Sequence, residues 1–160
     1  MVEYIKLIVF SFTSSVGFGI IYHVKKEHLL WAGLGGALTR FCYLVLSEMF
    51  DARFVYSLLA AMITSVYAEI LAIELKTPSP VFLYPSVLPL LPGNLLYNTA
   101  VNFFIKNQEA MWENAANCAL ALLGISIGFV ITSTFTYYRR IYTMGKEFAS
   151  HIIHFPGKRK

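Results

Sequence analysis

TPSPVFLYPSVLPLLPGNLLYNTAVNFF, residues Thr77 to Phe104, is the stretch that decides how the chain must fold. It is apolar enough to lie in a bilayer, yet it carries Pro78, Pro80, Pro85, Pro89 and Pro92, with Gly93 directly after the last. An interior proline removes one helical hydrogen bond and clashes with the preceding turn, so a smooth helix through Pro85, Pro89 and Pro92 is costly. In hydrocarbon, irregular backbone survives only where protein buries it or where it lines a watery cavity. The run from Val81 to Phe104 would measure roughly 36 Å as one helix, slightly more than a hydrocarbon core, and two half-helices joined at Pro92 and Gly93 fit as well. In that second arrangement the N–H groups of Gly93 to Leu96 and the positive end of the helix dipole face the break. Interrupted helices of this kind hold carboxylates and coupling ions in many transporters. Asn94, Asn98 and Asn102 then share one helical face, and Tyr84 and Tyr97 place hydroxyls on either side of the break. The competing reading is a proline-kinked helix whose asparagines merely bond to neighbouring helices.

Outward from this stretch, composition sets the class. The 160 residues are 57% hydrophobic and 14% charged, with a mean hydropathy of +0.60, whereas soluble domains carry about 25% charged residues. The charges fall between long apolar blocks, which predicts an all-α, polytopic integral membrane protein. Five spans are expected, at about 4–22, 29–46, 54–73, 81–105 and 115–138, the fourth broken by proline, followed by a basic tail over 139–160. All belong to a single transmembrane domain. The N-terminus lacks a positive leader and a small-residue cleavage site and reads as a retained span. The net charge of +4 does not signal nucleic acid, because the basic residues cluster at span ends, where they set topology. Nine of them, from Lys25, Lys26 and Lys76 to the tail, lie on one side, against Lys6, Arg53 and Lys106 on the other. This predicts an outside N-terminus and a cytoplasmic C-terminus.

Two charged residues lie inside spans. Arg40 is deep in the second span, where it serves as a counter-charge for an anionic substrate, snorkels, or pairs with a protein carboxylate. Glu69 follows Ser65 by four residues on the third span and is a candidate for proton or ion coupling, or a solvated end-cap. Small residues predict the packing faces: Ala32, Gly33, Gly36 and Ala37 on span two, Ser57 to Ala68 on span three, and Gly124 with Gly128, supported by Ala121 and Ser126, on span five. His23 and His28 read as solvated loop residues beside Lys25 and Lys26. His151 and His154 read as interfacial residues and not as a metal pair. Cys42 and Cys118 read as packing thiols. P-loop, HExxH, GxSxG and GxGxxG patterns are missing, so neither an enzyme nor a cofactor or metal site is expected. Two classes remain: a transporter subunit, or a membrane scaffold that stabilises a partner.

The order GFGIIYHVKKEHLLWAGLGGALTRF, AEILAIELKTPSPVFLYPSVLPLLPGNLLYNT and a final GISIGF span with basic residues after it resembles the small YjjB-like subunit of the threonine/serine exporter family. The resemblance covers nearly the whole chain. It implies an obligate hetero-oligomer in the bacterial plasma membrane, driven by ion gradients, in which a larger YjjP-like subunit supplies the other half of the membrane region. Threonine and serine are the implied cargo, with dicarboxylates such as succinate as the alternative. The family pattern carries over onto Pro89, Pro92, Gly93 and Tyr97. Asn94, Asn98, Arg40 and Glu69 enter the candidate site on their chemistry alone.

Overall fold

The computed structural model describes the backbone of residues 2–153 and the side chains of residues 2–139. Among the described residues six helices follow one another: α1 (Val2–Ile21), α2 (Lys26–Met49), α3 (Arg53–Glu74), α4 (Pro80–Val87), α5 (Gly93–Phe104) and α6 (Gln108–Ile153). A 3-10 turn at Leu88–Leu90 separates α4 from α5, and no strand occurs among the described residues. α1, α2, α3 and the Gln108–Arg139 part of α6 are each long and apolar enough to cross a membrane.

Close backbone approach explains how these helices assemble. A Cβ on Gly35 would run into the Ser86 Oγ of α4, and one on Gly36 into the Ser15 Oγ of α1. The α2 glycines are therefore the floor on which α1 and α4 lie, as small residues at helix interfaces permit. On α3, Tyr56, Ser57, Ala60, Ala61, Thr64, Ser65, Ala68 and Leu71 are buried, in line with the small-residue face expected there. The Thr39 and Thr64 hydroxyls meet at 2.8 Å between α2 and α3. In α6, Gly124 and Gly128 lie against α3: a Cβ would come within 2.5 Å of the Phe54 carbonyl at the first and 2.6 Å of the Leu58 carbonyl at the second. Ala121 is buried with them, but Ser126 turns outward and donates to the Leu122 carbonyl, so it is not part of the packing face.

The register of these contacts gives the topology. Phe54 to Leu58 rise with Gly124 to Gly128, so α3 and α6 run parallel. The chain between them must cross back, and α4, the 3-10 turn and α5 together make that broken crossing. The first portion of α6, from Gln108 to Gly124, extends about 24 Å past the start of α3. α5 packs along α6 and makes no comparable contact with α1 to α4, whereas α4 packs against α1, α2 and α3.

Three helix ends share one device. His23, Lys76 and Lys106 adopt left-handed backbone, with φ of 56°, 48° and 59°. In each case the next N–H reaches back to an orphan carbonyl: Val24 to Gly19 at 2.9 Å, Thr77 to Ala72 at 3.0 Å and Asn107 to Asn102 at 3.0 Å. These are Schellman caps, built without the glycine that usually occupies the left-handed position. Two boundaries depart from expectation. α2 begins at Lys26, so His28 is a helical residue. α6 begins at Gln108 because Asn107 caps it, its Oδ1 accepting from the Ala110 N–H at 3.3 Å, so Glu109, Trp112 and Glu113 belong to the helix and not to a link.

Candidate functional site

The break lies where the prolines put it, with its own hydrogen bonding. Pro85 is accommodated inside α4, Pro89 sits in the 3-10 turn, and Leu91 is extended (φ −60°, ψ 133°). Pro92 has φ −79° and ψ 55°, and the Gly93 N–H donates to the Leu91 carbonyl at 2.8 Å. Together these form an inverse γ-turn. The Leu96 N–H is also engaged, by the Pro92 carbonyl at 3.1 Å. Of the four amides expected to be free, Asn94 and Leu95 remain without a partner among the described residues; Gly93 and Leu96 do not.

The three asparagines divide. Asn102 donates to the Asn98 carbonyl at 2.8 Å, and both are half-buried, while Asn94 is exposed with no hydrogen bond to its side chain among the described residues. Tyr97 is exposed beside it, at 68%. Tyr84 is not on the near side of the break. It stands in the middle of α4 and lines a cleft at that helix's start, its ring centroid 6.1 Å from that of Tyr22.

Arg40 projects from the middle of α2. Among the described residues its buried Nε has no acceptor and no carboxylate pairs with it, and its Cζ lies 5.6 Å from the Tyr43 ring centroid. Tyr43 stands edge-on to Tyr56 at 5.2 Å, and Arg53 covers Tyr56 at 5.9 Å. Two guanidinium groups therefore flank a tyrosine pair, each close enough for cation–π attraction. Tyr43 also packs against the cluster of Ala60, Ala61, Leu90 and Ile125. Through that cluster Arg40 is joined to Leu90, the last residue of the 3-10 turn. An arginine at mid-span costs about 3 kcal/mol on insertion scales, and no anion among the described residues offsets it.

Glu69 is not brought to this place. It is half-buried on α3, and its carboxylate makes no ion pair among the described residues. It stands about 12 Å along the axis from the level of Ala60 and Ala61, where Leu90 packs. His151 and His154 lie outside the residues whose side chains are described. Among the described residues no group of three His, Cys, Asp or Glu side chains could hold a metal.

Two features were missed from the sequence. The first is the Thr39–Thr64 pair, in which each hydroxyl also reaches the carbonyl four residues back, Gly35 and Ala60, at 2.8 Å. The signal was available, since Thr39 directly precedes Arg40. The second is His28, expected in a solvated loop but packed edge-on against the fully buried Phe82, with centroids 5.5 Å apart. Phe82 is distant in sequence, so no local signal could have shown this.

The described geometry is that of a multi-pass membrane bundle with a broken helix ending near an unneutralised arginine. No curated protein and no solved structure matches the chain. The family described as Threonine/Serine exporter, ThrE, matches residues 7–135, which take in most of α1, all of α2 to α5 and most of the membrane-crossing part of α6. The chain belongs to the threonine/serine exporter family.

Proposed function

We propose that this chain is one membrane subunit of a secondary exporter for small carboxylate-bearing solutes, threonine and serine before dicarboxylates. It works in the bacterial plasma membrane with a larger YjjP-like subunit. The observation that carries this reading is Arg40: a guanidinium inside the bundle, its Nε buried without an acceptor, joined through Tyr43 to the cluster at the end of the broken helix. A cargo carboxylate supplies the missing acceptor. The free amides of Asn94 and Leu95, at the positive end of α5, receive it, the side chains of Asn94 and Asn98 orient it, and Tyr97 closes over it. Glu69 carries the coupling proton or ion from a separate position on α3.

The exposed side of α5 supports the need for a partner. Tyr97, Phe103 and Phe104 are 68%, 65% and 79% exposed on a helix that, among the described residues, packs chiefly on α6, and an open asparagine beside them is poorly suited to lipid. Facing a second subunit, the same surface becomes one wall of a cargo path. Export of labelled threonine and labelled succinate, measured in cells carrying both subunits, tests the reading. Accumulation outside the cell above that of a strain lacking this chain is expected, and no difference for either solute overturns it.

A further inference from the structure

We infer that the cleft between the α1–α2 turn and the start of α4 binds a small oxyanion, a carboxylate or a phosphate, at a site separate from the broken turn. This does not depend on the export reading, because what it predicts is equilibrium binding.

The cleft encloses about 560 Å³, a volume suited to a small ligand. Its polar lining includes His23, Lys25, His28, Lys76 and Thr77 with the hydroxyls of Tyr22 and Tyr84, and no carboxylate among the described residues lines it. It lies at the far end of α4 from the break, about 18 Å away along α4 and the 3-10 turn.

Three observations call for an anion there. First, two helices begin at the cleft, α2 after Lys25 and α4 after Ser79, and neither has a side-chain cap hydrogen bond. At α2 the Lys26 and Glu27 amides and the positive dipole end are left for a ligand or water, whereas at α4 the Val81, Phe82 and Leu83 amides already donate to the Pro78 and Ser79 carbonyls, so that helix offers its dipole end alone. Second, the charge order is inverted. Lys25 and Lys26 stand at the positive end of α2, where cations are unfavourable, and Lys76 comes to the same cleft from the end of α3. Glu27 offsets this only from outside, since it is exposed and does not line the cleft. A bound oxyanion resolves the repulsion and the dipole mismatch together. Third, part of the lining is held in place. Schellman caps fix the backbone at His23 and Lys76. His28 is fixed by Phe82 and by Thr77, 3.4 Å from its Nε2, and its Nδ1 is buried with no partner.

Thermal unfolding of the full-length chain provides the test, with inorganic phosphate or succinate compared with chloride of equal ionic strength in a neutral detergent. A parallel arm compares phosphatidylcholine nanodiscs with and without phosphatidylglycerol. Phosphate or succinate at tenfold excess over its dissociation constant raises the midpoint by about 3 °C. A rise only with phosphatidylglycerol assigns the site to a lipid phosphate. Lys25→Gln with Lys76→Gln abolishes the rise, and Lys106→Gln, the same cap geometry outside the cleft, keeps it. Should the double variant not fold, His23→Gln with Thr77→Val is read for the same loss. The inference is overturned if no oxyanion, free or lipid-borne, shifts the midpoint, or if the shift survives the cleft substitutions.

Discussion

The broken crossing has two halves of similar length and opposite situation. α4 is apolar on all sides and carries fully buried Phe82 and Ser86, wedged among α1, α2 and α3. α5 has no buried residue and, among the described residues, packs chiefly on α6. Proline sets the break and not this difference: Pro80, Pro85 and Pro89 all fall in the buried half, and α5 holds none. The difference comes from α2, whose Gly35 admits Ser86 to backbone contact, while no glycine receives α5. One half is built to stay and the other to meet something outside this chain.

The comparison can be broken at its base. Gly35→Val drives a branched side chain into Ser86 and is expected to destabilise by about 3 kcal/mol, read as lost folded yield or a lowered unfolding midpoint. Ala100→Val, on the open side of α5, leaves both unchanged. If the two substitutions cost the same, α4 is not the anchored half.

Arg40→Met is predicted to have the opposite sign. Removing a half-buried guanidinium whose Nε lacks an acceptor stabilises by about 2 kcal/mol while abolishing export. A loss of stability would mean that stacking on Tyr43, and not an absent anion, explains the residue. Thr39→Val and Thr64→Val each cost about 1 kcal/mol. The double variant costs less than the sum, because either deletion already breaks the shared contact; a double-mutant cycle of thermal midpoints measures this. Smallest in stability is Asn94→Ala, within about 0.5 kcal/mol of the parent, yet with export reduced at least tenfold. Retained export would confine the cargo role to the backbone amides.

Local rules made the position of the break legible. Proline's missing N–H and ring clash act within four residues, so Pro85 to Gly93 announced the turn without any tertiary knowledge. Packing glycines and alanines were legible for the same kind of reason, since small residues four apart admit a neighbour whichever helix it is. The asymmetry of the two halves was not, because it depends on Ser86 meeting Gly35 across the bundle. Nor was the fate of the Gly93 amide: an inverse γ-turn closes on dihedrals that Pro92 permits but does not dictate. The start of α6 was misplaced because Glu109 and Glu113 resemble a link, while the cap that begins the helix is the single side chain of Asn107.

The inverse γ-turn also sets how motion is shared along this crossing. Helical cooperativity depends on an unbroken ladder of amide bonds, and here the ladder is interrupted at Leu91, with only the short Gly93 bond spanning the gap. Fraying of α5 therefore stops at the turn and does not propagate into α4. Hydrogen–deuterium exchange should show two steps in protection, early for Asn94 to Phe104 and late for Phe82 to Leu90, with the boundary between Leu90 and Gly93.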